Sequence, residues 1–136
     1  MSETNELYPI FLKVHELQVL IVGGGNVALE KLTFLLKSSP NAKVQLVAPV
    51  IRDEIRELAL KHSIHLIERS YKRSLLKQKH LVIAATDNGK VNLNVYLDCK
   101  KRNLLVNVAD TPQLCDFYFN SSFQKLYIFL YVKFYI

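Results

Sequence analysis

Three consecutive glycines, Gly23 to Gly25, carry the strongest chemical signal in this sequence. They follow the apolar run Leu17–Val22, and a segment with helical spacing begins at Val27. Gly23, Gly25 and Ala28 match the spacing G-x-G-x-x-G/A. In that pattern the first glycine permits a tight turn, the second lets a pyrophosphate approach the backbone, and the small third residue lets the helix pack closely on the strand. Free N–H groups at the helix start can then bind phosphate oxygens. The pattern predicts a dinucleotide-binding turn, and a glycine-rich turn without a ligand is the alternative.

Histidines and cysteines give no comparable signal. They are His15, His62, His65, His80, Cys99 and Cys115. None of them has the spacing of a metal site, and His62 and His65 lie on opposite sides of a predicted helix–strand junction. We therefore predict no metal site and two reduced thiols. The N-terminus is acidic and has no apolar signal core, so we expect a cytoplasmic protein.

The composition is that of a folded, basic protein. The 136 residues are 50% hydrophobic and 22% charged, which favours one domain with a real core. The net charge of +6 favours an acidic partner. The basic residues are scattered and form no nucleic-acid-binding motif, so we predict no nucleic acid partner. The apolar segment Leu126–Ile136 is too short to cross a bilayer as a helix, so we predict no membrane partner.

Strands and helices alternate along the chain. The predicted strands are Leu17–Val22, Val44–Ala48, Ile64–Ile67, His80–Ala85 and Leu104–Val108. The predicted helices are Val27–Leu36, Ile51–Lys61 and Asn88–Asn103, with Val91, Val95 and Leu97 of the last helix turned inward. Strands separated by helices form βαβ units with right-handed crossovers. The sequence therefore predicts an α/β fold with a Rossmann-like, doubly wound parallel sheet.

Ligands of such sheets bind at the carboxyl ends of the strands. This rule selects Gly23–Val27, Ala48–Val50, Ala85–Asp87 and Asn107–Asp110. An acidic residue usually follows the second strand and binds the ribose, but this chain has Ala48-Pro49-Val50 there. Either backbone groups hold the ribose, or the ligand is not an ordinary dinucleotide. Arg52 could accept a 2′-phosphate, although a surface arginine at a helix start is the simpler explanation.

The ordered set of motifs resembles the precorrin-2 dehydrogenase module of siroheme synthases. The matching residues are Tyr8–Leu12, Val22–Ala28, Val47–Pro49, Ile83–Asp87, Asn92, Val106–Asp110 and Leu114–Phe117. The resemblance extends from about Tyr8 to Phe119. It implies an enzyme that uses NAD to oxidise precorrin-2, a polycarboxylate tetrapyrrole, to sirohydrochlorin. Some members of the family also insert ferrous iron, an activity that the resemblance leaves open.

The resemblance also assigns roles to individual residues. Asp110 matches the catalytic aspartate of the family. Asn26 and Val27 match the residues over the pyrophosphate, and Pro49 and Val50 match the adenosine-side contacts. Together with Gly23 and Gly25, Thr86 completes the expected cofactor-binding set, since it ends the fourth strand. Judged by the residues alone, Asp110 fits a helix cap or turn before Thr111-Pro112, and Asp87 fits a cap of the next helix.

The resemblance stops after Phe119. We expect residues 1–119 to form the NAD-binding domain and 120–136 to form an apolar tail that departs from the family. The C-terminal dimerisation and helical part of the family is expected to be missing. The tail is expected to be a strand that extends the sheet or pairs across a homodimer, because an unpaired apolar strand would aggregate. Two other functions stay open: a non-catalytic nucleotide-sensing module, and an inactive remnant that binds NAD without turnover.

Overall fold

A five-stranded parallel sheet lies at the centre of the structure, a computed structural model that describes residues 6–119. The strands are β1 (Gln18–Val22), β2 (Lys43–Val47), β3 (Ile64–Ile67), β4 (Leu81–Ala84) and β5 (Leu105–Val108). Their order is β3-β2-β1-β4-β5, so the chain builds outward from β1 in both directions. The last residue of β1, Val22, is level with Val47 on one side and Ala84 on the other. The carboxyl ends of β2, β1 and β4 therefore meet at a switch point, where sheets of this kind bind ligands.

Helices cover both faces of the sheet. Helices α1 (Asn26–Ser38) and α2 (Asp53–Lys61) bury Leu32 and Ile55 against one face. Helix α3 (Gly89–Lys101) buries Val95 against the other face. Strands covered on both sides need continuous apolar runs, which explains their sequences. The predicted doubly wound α/β fold is confirmed, and the predicted helices and strands agree with the observed ones to within two residues at each end.

One side chain of α3 points the other way from the expectation. Leu97 is 47% exposed, so the prediction that it faces the core is wrong. The inner stripe of α3 consists of Asn92, Val95 and Cys99, which are three and four residues apart. Cys99 takes the inner position because four residues after Val95 is one helical turn further along the same face, whereas two residues is not.

The connection from β3 to β4 contains no α-helix. Residues 68–80 include only a short 3₁₀ turn, Arg73–Leu76, and cross the face that α3 also covers. Leu76 is buried in that face, and Tyr71 packs against its edge. This crossing brings Tyr71 close to the switch point.

The outer edge of β5 is covered by the segment that follows it. The N–H of Val106 donates to Asp116 Oδ2 at 3.0 Å, and the N–H of Asp116 donates to the Val106 carbonyl at 2.8 Å. Val108 donates to Cys115 Sγ at 3.2 Å. These bonds occupy edge groups that could otherwise pair with another strand. The predicted strand in residues 120–136 lies outside the described residues. Among residues 6–119, no helix combines the length and apolar character needed to cross a bilayer.

Candidate functional site

Gly23 is required by the fold itself. Its φ is +137°, a backbone conformation that side chains disfavour. A Cβ at this position would lie closer than 3.0 Å to the carbonyl oxygen of Ala85, which follows β4. The N–H of Gly23 donates to the Val47 carbonyl at 2.9 Å. Gly23 therefore turns the chain while the backbones of its two neighbouring strands close around it.

Gly24 occupies a variable position of the fingerprint, for which the pattern predicts no role. A Cβ here would lie closer than 3.0 Å to both the Val50 carbonyl oxygen and the Ala48 Cβ. The Gly24 carbonyl accepts a hydrogen bond from the N–H of Arg52 at 2.9 Å. Gly24 thus fastens the glycine turn to the loop that follows β2. The run of three glycines was the sequence signal for this contact, because a close backbone contact requires glycine at the middle position.

Gly25 differs from the other two glycines, because nothing lies within 4 Å of the position its Cβ would take. It is the N-cap residue of α1 and provides no side-chain cap, and the first turn of α1 contains no acidic residue. The first N–H groups of a helix have no partner within the helix, and they attract anions. The open side of Gly25 and the uncapped helix start fit the pyrophosphate of a dinucleotide.

These groups line a cleft of about 710 Å³, within the size range of small-molecule sites. It lies over the ends of β2, β1 and β4. Seven residues predicted to bind the cofactor line it: Gly23, Gly25, Asn26, Val27, Pro49, Val50 and Thr86. Their roles in binding stay predictions. A wide-open depression over the start of α3, lined by Asp87 to Lys90 and Leu93, adjoins the cleft.

Thr86 lines the cleft, but its hydroxyl is used within the protein. The hydroxyl lies 2.6 Å from Asn92 Oδ1 and 3.0 Å from the Asn88 carbonyl, and it accepts from the N–H of Asn88. The amide of Asn92 donates back to the Thr86 carbonyl at 3.1 Å. Asn88, and not Asp87, caps α3 by accepting from the N–H groups of Lys90 and Val91. The Thr86 hydroxyl thus holds the loop after β4 in place.

Asp110 follows β5, at the edge of the sheet. It is exposed and has a φ of +59°, which aspartate tolerates better than most residues do. The N–H of the preceding Ala109 still donates to the Ala84 carbonyl at 2.9 Å. As far as residues 6–119 define the cleft, its lining does not include Asp110. Strand β4 lies between the glycine turn and Asp110 in the sheet, and the catalytic role of Asp110 stays a prediction.

Arg52 is the positive side chain of the cleft wall after β2, where related sheets carry an acid. Its Nη2 atom lies 2.6 Å from Glu54 Oε2. This hydrogen bond raises the pKa of Arg52 and lowers the pKa of Glu54. Both side chains are largely exposed, in agreement with a surface arginine at the start of α2.

Two of the described histidines contact backbone groups of other segments. His80 Nδ1 accepts from the N–H of Gln18 at 2.9 Å, and His62 Nδ1 lies 3.0 Å from the Pro40 carbonyl oxygen. Within residues 6–119, no group of three or more His, Cys, Asp or Glu residues could hold a metal ion.

Comparison with known proteins gives a family and several relatives. Residues 10–121 match the family model described as "Putative NAD(P)-binding". The siroheme synthase of Psychrobacter arcticus is 40% identical over 112 residues, which are 82% of this chain and 20% of that protein. The siroheme synthase of another Psychrobacter species is 43% identical over 112 residues, 82% of this chain and 23% of that protein. A solved structure named "SirC, precorrin-2 dehydrogenase" is similar with a TM-score of 0.66 and 27% identity, over 77% of this chain and 50% of that chain. The present chain therefore spans under a quarter of these two siroheme synthases and half of that structure.

Proposed function

This chain belongs to the NAD(P)-binding family that its residues 10–121 match, and from this we propose that it is an NAD-dependent precorrin-2 dehydrogenase forming sirohydrochlorin. The names of the relatives, siroheme synthase and precorrin-2 dehydrogenase, support the substrate. One observation in the fold supports NAD as the cofactor. Gly25 leaves open space beside the uncapped start of α1, at the mouth of the cleft.

The residues around the turn would bind the two halves of NAD. The backbone N–H groups of Asn26 and Val27, at the start of α1, are the donors for the pyrophosphate. Pro49 and Val50 form the wall on the adenosine side. Since no acidic side chain follows β2, backbone groups of this loop would hold the ribose hydroxyls. Gly24 keeps the loop at a fixed distance from the turn, because the two backbones touch there.

Oxidation of precorrin-2 removes a hydride and a proton from the tetrapyrrole. When bound, NAD supplies the nicotinamide ring that accepts the hydride. Asp110 is our candidate for the proton acceptor, since its exposed carboxylate stands at the ligand-binding end of β5. The net charge of +6 favours a substrate that carries many carboxylates.

We also propose that the protein acts in the cytoplasm as a homodimer, and that ferrous iron is a second substrate for insertion into sirohydrochlorin. The family resemblance supports all three statements. Light scattering tests the dimer, and the absorbance spectrum of sirohydrochlorin after ferrous iron is added under anaerobic conditions tests iron insertion.

The dehydrogenase proposal is tested by mixing the protein with precorrin-2 and NAD without oxygen. We expect NADH fluorescence and the sirohydrochlorin spectrum to appear together. NAD binding without either signal would favour the inactive remnant. The absence of NAD binding would exclude both the enzyme and the remnant.

A further inference from the structure

The geometry assigns a ligand-binding role to Tyr71, the aromatic wall on which the adenine ring of the dinucleotide stacks. The hydroxyl of Tyr71 forms a hydrogen bond with Asp98 on α3. The inference rests on the proposed function, because it requires an adenine dinucleotide in the cleft.

Tyr71 reaches the cleft from the crossing between β3 and β4. Among the described lining residues it is the only aromatic one, and its neighbours in the lining include Val22, Val47 and Val91. Its ring also packs against the buried cluster on the face of the sheet that α3 covers. An aromatic side chain thus lines a cleft whose glycine turn leaves room for a pyrophosphate.

The hydroxyl of Tyr71 forms a hydrogen bond within the protein. It donates to Asp98 Oδ2 on α3 at 2.8 Å. Burial and this bond to Asp98 raise the pKa of Tyr71, so the phenol stays protonated and remains a donor. Because the hydroxyl is occupied, the side chain offers ring carbons to the cleft. The phenol oxygen can still accept a hydrogen bond, but the ring is the larger surface that this side chain offers, and a flat base complements it. The bond also fixes the ring before the ligand arrives, which lowers the entropic cost of binding.

The strand order identifies which base lies there. Asp110, at the end of β5, marks the side of the glycine turn where the reacting nicotinamide belongs. The adenosine half then extends to the other side of the turn, over β2, where the loop containing Val50 stands. Tyr71 follows β3, the neighbour of β2, four residues after Ile67. Tyr71 lines the cleft together with Pro49 and Val50 of that loop, and on this basis we assign its ring to the adenosine half.

The test compares ligands that contain adenine with one that lacks it, using calorimetry on the full chain. Stacking of a base on an aromatic ring leads us to expect that Tyr71→Ala weakens NAD and AMP binding about 10- to 100-fold. We expect nicotinamide mononucleotide, which has a phosphate but no adenine, to bind as it does to wild type. Tyr71→Phe keeps the ring and should bind AMP within about threefold of wild type.

Two further variants separate stacking from folding. Tyr71→Leu keeps apolar bulk without a flat ring, so it should lose AMP affinity as expected for Tyr71→Ala. It provides the test if the alanine variant does not fold. Asp98→Asn leaves an acceptor for the phenol and should keep AMP affinity. Equal losses for AMP and nicotinamide mononucleotide, or wild-type AMP binding by Tyr71→Leu, would overturn the role of Tyr71. A wild-type protein that binds no NAD would instead refute the proposed function.

Discussion

Replacing Gly25 with alanine should damage ligand binding while leaving the fold intact. No atom lies within 4 Å of the position its Cβ would take, and its φ of −101° is available to alanine. The added methyl group would stand where the pyrophosphate must approach the backbone. Gly25→Ala therefore tests whether a ligand binds at the open side of the turn.

The two free-energy changes have different sizes. A backbone hydrogen bond to a charged group is worth about 1.5–3 kcal/mol. A methyl group that displaces the pyrophosphate from one such bond should weaken NAD binding about 10- to 100-fold. For folding, alanine is a worse N-cap than glycine by about 0.5–1 kcal/mol. The lower entropy of the unfolded chain returns about 0.4–1 kcal/mol. The free energy of unfolding should thus change by less than about 1 kcal/mol.

The assay pairs calorimetric titration of NAD with urea unfolding of the same samples. Gly89→Ala is the matched control, because Gly89 also has nothing within 4 Å of its Cβ position and begins α3 outside the lining of the cleft. We expect the control to keep both NAD affinity and stability. Wild-type affinity in Gly25→Ala would refute the assignment of this turn to a pyrophosphate.

Four further predictions concern catalysis and stability. Asp110→Asn keeps a residue that tolerates positive φ. It should reduce kcat for precorrin-2 oxidation about 10²–10⁴-fold and leave NAD affinity in calorimetry unchanged. A smaller loss of kcat would exclude Asp110 as the base. Gly23→Ala should lower the free energy of unfolding by more than about 2 kcal/mol in urea titrations, since its Cβ meets the Ala85 carbonyl at positive φ; wild-type stability would contradict the contact. Burial raises the pKa of Cys99 from 9.0 to about 12, so the stability it contributes is complete below pH 9 and is lost as the pH rises toward 12. The urea midpoint should consequently fall more steeply between pH 8 and pH 10.5 in wild type than in Cys99→Ala, and equal slopes would exclude this linkage. Asp116→Ala leaves the Val106 N–H without its carboxylate acceptor at the sheet edge, so it should lower the free energy of unfolding by about 1–3 kcal/mol. It should also promote self-association in light scattering, and an unchanged monomer–oligomer distribution would count against edge protection.

Local sequence patterns were sufficient to predict most of the fold. The β-branched runs at β1 and β4 are long enough for buried strands and too short for helices, so their type is unambiguous. The end of α1 was also readable, because Pro40 cannot continue a helix. The cap of α3 was not, since both Asp87 and Asn88 suit a cap and the structure uses Asn88. Leu97 shows the limit of this approach, since α3 has several apolar residues and only packing decides which of them turn inward.

The candidate site was predictable where chemistry follows from adjacent residues. The three glycines predict a turn. The need for glycine at position 24, however, comes from its contact with Val50, 26 positions later in the chain. Tyr71 carried no signal of its own, because its place in the cleft depends on a helix-free crossing and on a bond to Asp98. Such contacts join residues that are distant in the sequence, and no local pattern encodes them.

The position of Asp110 outside the cleft fits a reaction with two ligands of very different shape. The cleft over β2, β1 and β4 has the size for one elongated ligand, and its walls are close to the glycine turn. In the proposed reaction the second ligand is a polycarboxylate tetrapyrrole, whose many hydrated charges need a wide and open surface. A base that acts on this second ligand would then stand outside the cleft. In the proposed reaction Asp110 would meet that requirement, since it is exposed, follows β5 and is one strand removed from the loop after β4.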